Sequence, residues 1–101
     1  MQIGQLVRHW FQRYGEPFQV GGQSFYGLFS PPPPELLEWF FSPTERASLP
    51  YPVWMLAHLP DVLLLPDDTF LWRGTAYRVY KALEYRIGTE PIYRLVIVGA
   101  I

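Results

Sequence analysis

The side chains that most often carry catalysis or metal binding are few and scattered in this sequence. The two histidines, His9 and His58, belong to no spacing pattern of zinc ligands, so we interpret both as solvated or capping residues. Asp67 and Asp68 are adjacent on a predicted turn and have no partner that would separate their pKa values for acid and base roles. The chain contains no cysteine, no nucleophile elbow and no glycine-rich loop before a helix. We therefore expect no enzymatic activity, no cofactor and no metal site.

Composition points instead to one domain with more aromatic rings than a small core requires. The chain has 101 residues, of which 50% are hydrophobic and 18% aromatic, and its net charge is −1. The charge argues against a nucleic-acid binder, which needs a basic surface to neutralise phosphates. Aromatic residues are enriched at protein interfaces, although they also serve to fill the core of a small β domain. Without a signal-peptide pattern or an apolar run long enough to span a bilayer, we expect a soluble protein made in the cytoplasm, with no membrane partner.

An amphipathic helix is predicted over residues 2–14. Its apolar residues recur with helical spacing, and we expect this stripe to pack on the core. The stripe comprises Ile3, Leu6, Val7, Trp10, Phe11 and Tyr14. Gly15 suits the left-handed backbone conformation that often follows the end of a helix, and Pro17 prevents the helix from continuing.

A first β-hairpin is predicted next, with strands at residues 18–20 and 24–29 around a Gly21-Gly22 turn. Gly27 inside the second strand indicates either a bulge or the close approach of another backbone.

Residues 31–52 form a long, proline-punctuated insertion, whose first part (residues 31–41) we call the arm. The four consecutive prolines favour a stiff connector, with a proline-rich ligand as the alternative. Residues 35–41 are too apolar for a solvated loop and fit either a short helix or an extended segment. A capping-box pattern from Ser42 to Glu45 predicts one or two helical turns over residues 43–48. The arm is our candidate partner-binding segment, through Pro31, Pro32, Pro33, Pro34, Leu36, Leu37, Trp39, Phe40 and Phe41.

The remainder of the chain predicts strands. Residues 53–57 are strand-like, with Trp54 and Leu56 on one face, and residues 62–65 predict a further short strand. A short strand at 70–72 precedes a long hairpin of residues 75–87 and 92–98. In its first strand the alternation places Tyr77, Val79, Leu83, Tyr85 and Ile87 on the buried face, with Lys81 as the one exception. The last strand is apolar on both faces, so it is either central in the sheet or available to extend the sheet of a neighbouring molecule.

These elements predict a single domain over residues 1–101 that is mainly β with an N-terminal helix. The expected architecture is a small antiparallel β-barrel or sandwich, SH3-like, built from residues 17–30 and 53–101. The long proline-rich insertion loop, residues 31–52, interrupts it.

Two stretches together resemble small proteins of the tailed-phage neck, the head-closure (stopper) and head–tail joining family. Residues 6–20 resemble a helix that runs into a Tyr-Gly-x-Pro turn and a first strand. Residues 65–79 are similar to that family's pattern of Asp, strand, Gly and Tyr-x-Val, and Tyr93 lies near the start of the last strand as in the family. The chain departs from the pattern in its proline-rich aromatic insertion and in having Asp67-Asp68 where Gly-Asp is more usual.

The resemblance implies a structural virion protein, assembled in the host cytoplasm, that forms a homo-oligomeric ring, most simply a hexamer, at the head–tail connection. Implied neighbours are the adaptor or portal and the tail tube or terminator, with at most passive contact with DNA in the channel. A tail terminator or other tail-completion protein is an alternative within this setting. An alternative of another class is a monomeric SH3-like or OB-like ligand-binding module.

Overall fold

The computed structural model describes residues 3–101, which form three helices and six strands. In chain order these are α1 (Ile3–Tyr14), β1 (Glu16–Val20), β2 (Gln23–Ser30), α2 (Pro34–Phe40), α3 (Pro43–Ala47), β3 (Val53–His58), β4 (Thr69–Trp72), β5 (Thr75–Ile87) and β6 (Glu90–Ala100). The predicted fold class is confirmed, and of the two architectures left open the barrel is the one that forms. The predicted helix start at Gln2 lies outside the described residues.

All neighbouring strands pair antiparallel, and the sheet closes on itself in the order β1-β2-β3-β6-β5-β4. Closure comes from β1 and β4, where Phe18 lies opposite Trp72 and Gln19 opposite Leu71. β6 pairs with β3 on one side and with β5 on the other. Of the two alternatives for the last strand, the central position is therefore the one that forms, because β6 is hydrogen-bonded to a strand on each side.

Tight turns fix the hairpin registers. Gly21 and Gly22 have φ values of 58° and 85°, and Arg73 and Gly74 have 52° and 75°, so both two-residue turns place two successive residues in the left-handed region. Such turns match the twist of the flanking strands, which is why the first hairpin forms where the Gly-Gly pair predicts it.

A β-bulge in β5 overturns the predicted face assignment of its second half. The register with β6 shifts between Val79 and Lys81, so the alternation changes phase at Tyr80. Tyr77 and Val79 pack in the barrel core as predicted. Beyond the bulge, the outer face carries side chains predicted to be buried, which are Leu83, Tyr85 and Ile87.

The predicted strand at residues 62–65 is wrong, because this segment is irregular and covers one end of the barrel. Leu64 is fully buried there. The Asp68 carboxylate accepts a hydrogen bond from the Leu65 amide at 2.8 Å, which stabilises the turn that follows. A short apolar run fits a buried loop as well as a strand.

The barrel interior is filled by large apolar side chains from all six strands and the irregular segment. Phe29 stacks on Trp72 with ring centroids 3.8 Å apart. The fully or nearly fully buried members are Phe18, Leu56, Leu64, Phe70, Trp72, Val79, Val96 and Val98. Trp54 and Leu56 share this inner face as predicted.

Two glycines allow α1, β2 and β3 to approach closely. A Cβ on Gly27 would lie 2.5 Å from Leu56 Cδ1, so close approach, rather than a bulge, explains this glycine. Gly15 is not left-handed, contrary to expectation. A Cβ there would overlap the Phe11 carbonyl oxygen, so packing is what requires glycine at this position.

The insertion folds back on the outside of the barrel as two short helices. In α3 the predicted capping box is present, with Glu45 N donating to Ser42 Oγ at 3.2 Å and Ser42 N donating to Glu45 Oε1 at 2.9 Å. Phe41 and Leu49 are buried against Val53 and Ile97 of the sheet.

Candidate functional site

The polar residues considered for chemistry are not brought together into one site. His9 is exposed on α1, whereas His58 is completely buried at the end of β3. Asp67 and Asp68 form the turn before β4, where Asp67 N donates to Val79 O and Val79 N donates to Asp68 O. Among the described residues, no three His, Cys, Asp or Glu side chains are grouped to hold a metal ion.

The interpretation of His58 as a solvated or capping residue is wrong. His58, Arg94 and Glu84 occupy one cross-strand row on β3, β6 and β5. The Nδ1–H of His58 donates to the Leu59 carbonyl at 2.8 Å, which assigns the tautomer and leaves Nε2 buried without a protein partner. Arg94 Nη2 donates to the Leu64 carbonyl at 2.9 Å, and its Nη1 lies 3.7 Å from Glu84 Oε1.

Burial lowers the pKa of His58 to about 4, and the nearby positive charge of Arg94 acts in the same direction. The imidazole is therefore neutral at neutral pH. A small cavity of about 120 Å³ lies beside it and is rimmed by the Arg8–Asp61 ion pair. Because Arg94 binds the Leu64 carbonyl, we interpret this row as a structural tether for the segment that covers the barrel end.

An apolar groove lies between α1 and the outside of the barrel, and its lining is almost entirely apolar. Its volume is about 350 Å³. We call it the α1 groove, and it is lined by Val7, Trp10, Phe11, Leu28, Ala57, Tyr93 and Leu95. The groove continues onto β5, where Leu83 lies opposite Leu95 and Tyr85 stacks on Tyr93 with centroids 5.0 Å apart.

Most of the apolar stripe of α1 lies in solvent, contrary to the expected core packing. Phe11 is buried and Val7 is half-buried, whereas Trp10 is 56% exposed. Ile3, Leu6 and Tyr14 are likewise exposed. The helix contacts the barrel along one narrow line, so the width of its stripe exceeds what the barrel covers.

The predicted partner-binding residues of the arm divide into two groups. Phe41 is buried, and Leu36, Leu37 and Phe40 are partly buried against the same outer cluster of the sheet. Phe41 is therefore already covered within its own chain. Trp39 remains 69% exposed. The prolines Pro31, Pro33 and Pro34 are exposed and Pro32 is half-buried, with Pro34 as the first residue of α2.

Sequence reasoning thus found Trp39 but missed the α1 groove and the outer face of β5. The β5 face was missed because a single bulge reverses the alternation. The signal was Lys81, a charged residue on the face predicted to be buried, which directly follows the bulge. The sequence shows the width of the apolar stripe on α1. It does not show how much of that stripe is exposed, because this depends on how small an area of the helix the barrel covers.

No protein-family model, curated protein or solved structure matches the chain. Within residues 3–101, none of the helices has both the length and the apolarity needed to cross a bilayer.

Proposed function

We propose that this protein is a structural subunit of a homo-oligomeric ring in the neck of a tailed phage or prophage, at the head–tail connection. The observation that carries the proposal is the extent of apolar side-chain surface left uncovered on a closed barrel, on α1, on β5 and at Trp39. Contiguous apolar surface beyond what a monomer usually exposes marks an interaction site. The resemblance to head-closure proteins supplies the virion setting and the neighbouring portal, adaptor or tail proteins.

The proposed role is mechanical. Each described strand has a paired neighbour on both sides, although β5 beyond Val79 pairs only with β6, so we expect copies to associate mainly through side chains. Both the arm and α1 lie on the outside of the barrel and are the parts that a neighbouring subunit would contact.

Light scattering after size-exclusion chromatography, over a range of protein concentrations, tests this role. We expect the mass to rise to that of a closed ring, visible by negative-stain electron microscopy. Trp39→Ala should weaken association by about tenfold or more, as truncation of a central aromatic residue does. Leu63→Ala is the matched control, because Leu63 is similarly exposed but lies on the segment that covers the barrel end. A single-copy mass at the highest concentration would contradict the proposal.

A monomeric binding module is the second candidate, favoured by the fact that the α1 groove is fully formed within one chain. Its volume falls at the lower end of the roughly 300–1,000 Å³ typical of ligand pockets. This candidate requires a chain that stays monomeric and binds an apolar peptide or small ligand with Trp10 at the contact, so the same mass measurement separates the two.

A further inference from the structure

The outward face of α2 combines one exposed aromatic ring with two carboxylates. Glu35, Glu38 and Trp39 are spaced by three and four residues, so they lie on the same side of the helix. All three are exposed, and α2 contains no basic residue. Leu36 and Leu37 anchor the opposite side of the helix to the sheet, which holds the indole in an outward position before any partner binds.

The outward face of α1 has the opposite charge and a concave apolar neighbour. Leu6, Trp10 and Arg13 are spaced by four and three residues and share one side of the helix. α1 contains no acidic residue within Ile3–Tyr14. Arg8 is already neutralised by Asp61, to which it donates two hydrogen bonds of 2.7 and 2.8 Å.

Arg13 has no such partner. Among the described residues it forms no ion pair, and its guanidinium lies 5.6 Å from the ring centroid of Tyr14. It therefore presents an unneutralised positive charge beside the apolar residues that border the α1 groove. The two helices therefore complement each other. α2 is acidic and carries an exposed indole, whereas α1 is basic and lies beside an apolar groove.

We infer that α2 of one copy docks on α1 of a second copy, with Trp39 entering the α1 groove and Glu35 and Glu38 facing Arg13. This rests on the proposed function and names the surfaces through which the ring would be built. The contact joins two different surfaces, so it is heterologous, the type of contact that generates rings when the rotation closes. A groove of about 350 Å³ has room for one large side chain.

Complementary charge reversal tests this contact. One variant, Glu35→Lys with Glu38→Lys, makes α2 basic, and the other, His9→Glu with Arg13→Glu, makes α1 acidic. All four positions are exposed, so both variants should fold, which circular dichroism checks. Each variant alone places like charges across the contact, and its association should weaken by about tenfold or more.

The 1:1 mixture of the two variants is the decisive sample. Each α2 then finds an α1 of opposite charge, so association should return to near the wild-type level with alternating copies. Raising the salt concentration should weaken both the wild type and the mixture, because the facing charges are exposed and screened. Leu63→Ala again serves as the neutral control.

The remaining outcomes overturn the inference in distinguishable ways. If the α2 variant alone associates like the wild type, α2 is not in the contact. If the α1 variant alone does so, α1 is not in the contact. In both cases the proposed ring subunit stands with a different interface. If the wild type itself never associates, the proposed function fails and this inference fails with it.

Discussion

At the scale of single residues, His58 shows how the fold determines the behaviour of a group that the sequence leaves ambiguous. The imidazole lies at the end of β3 and meets the Phe18 ring edge to face at a centroid distance of 6.0 Å. The charged groups around it are Arg94 on β6, with Glu84 beyond it on β5, and the Arg8–Asp61 pair at the neighbouring cavity. Protonation would add a second buried cation beside Arg94, so the fold disfavours the charged form.

The stability of the protein should therefore fall as the pH drops from about 6.5 to about 4. The pKa of His58 is lowered from 6.5 to about 4 on folding, so the unfolded chain binds more protons across this window. Stability then rises with pH, and the difference across the window is about 3 kcal/mol. Urea unfolding of the wild type at a series of pH values measures it.

His58→Asn is the control for that measurement, since an Asn side chain keeps a donor for the Leu59 carbonyl but does not titrate. We expect the variant to be less stable than the wild type at pH 7. Its stability should lack the decrease between pH 6.5 and 4 that protonation of His58 causes in the wild type. Carboxylates such as Asp61, whose pKa is lowered by Arg8, are common to both proteins and cancel in the comparison. Equal pH dependence in the two proteins would show that His58 is not the group responsible.

At the scale of elements, α1 is the part of the molecule least integrated into the core. Its one buried side chain among the described residues is Phe11, and its one ion pair to the rest of the chain joins Arg8 to Asp61. Both partners of that pair are nearly half exposed, and such pairs contribute at most about 1 kcal/mol. Phe11 therefore supplies most of the attachment.

Phe11→Ala should release α1 while the barrel stays folded. Truncation of a buried Phe costs about 3–5 kcal/mol, which corresponds to at least about 100-fold faster amide hydrogen exchange if α1 opens as a local unit. Arg8→Ala should accelerate exchange in α1 by less than about fivefold. Equal acceleration in α1 and β6 would mean that helix and barrel unfold together, contrary to this expectation.

Local chemistry explains which elements the sequence predicts well. The Gly21-Gly22 turn, the Ser42–Glu45 capping box and the 3.6-residue period of α1 each act over a few residues, and each appears as predicted. The bulge at Tyr80 and the irregular path of residues 62–65 depend on partners far along the chain. The only local sign of the bulge was Lys81, which interrupts the apolar face, and residues 62–65 gave no comparable sign. For the candidate site, short-range patterns were enough to identify Trp39. They did not reveal the groove, because its walls come from four separate elements, α1, β2, β3 and β6.

At the scale of the whole molecule, the closed barrel separates folding from association. Every strand described here has a hydrogen-bonded neighbour on both sides over at least part of its length, so most backbone groups of the sheet are satisfied within one chain. The surface that remains for a partner is mainly side-chain surface. The four tryptophans are divided between the core and this exposed surface. Trp72 is buried in the core, whereas Trp10 and Trp39 are mostly exposed at the two surfaces proposed to meet.

Tryptophan fluorescence should therefore report assembly directly. In dilute solution acrylamide should quench Trp10 and Trp39 readily, while Trp72 stays protected. At concentrations where the chain associates, Trp39 enters an apolar groove and Trp10 borders it, so quenching should fall and the emission should shift to shorter wavelength.

Trp39→Phe identifies the source of that change, because Phe retains an apolar ring for the groove and removes the indole signal. The change should shrink in this variant and shrink further when Trp10→Phe is added, leaving the concentration-independent emission of Trp54 and Trp72. If quenching is unaltered on association, the indoles stay in solvent within the oligomer. The uncovered apolar surface that distinguishes this barrel would then not be the surface through which its copies meet.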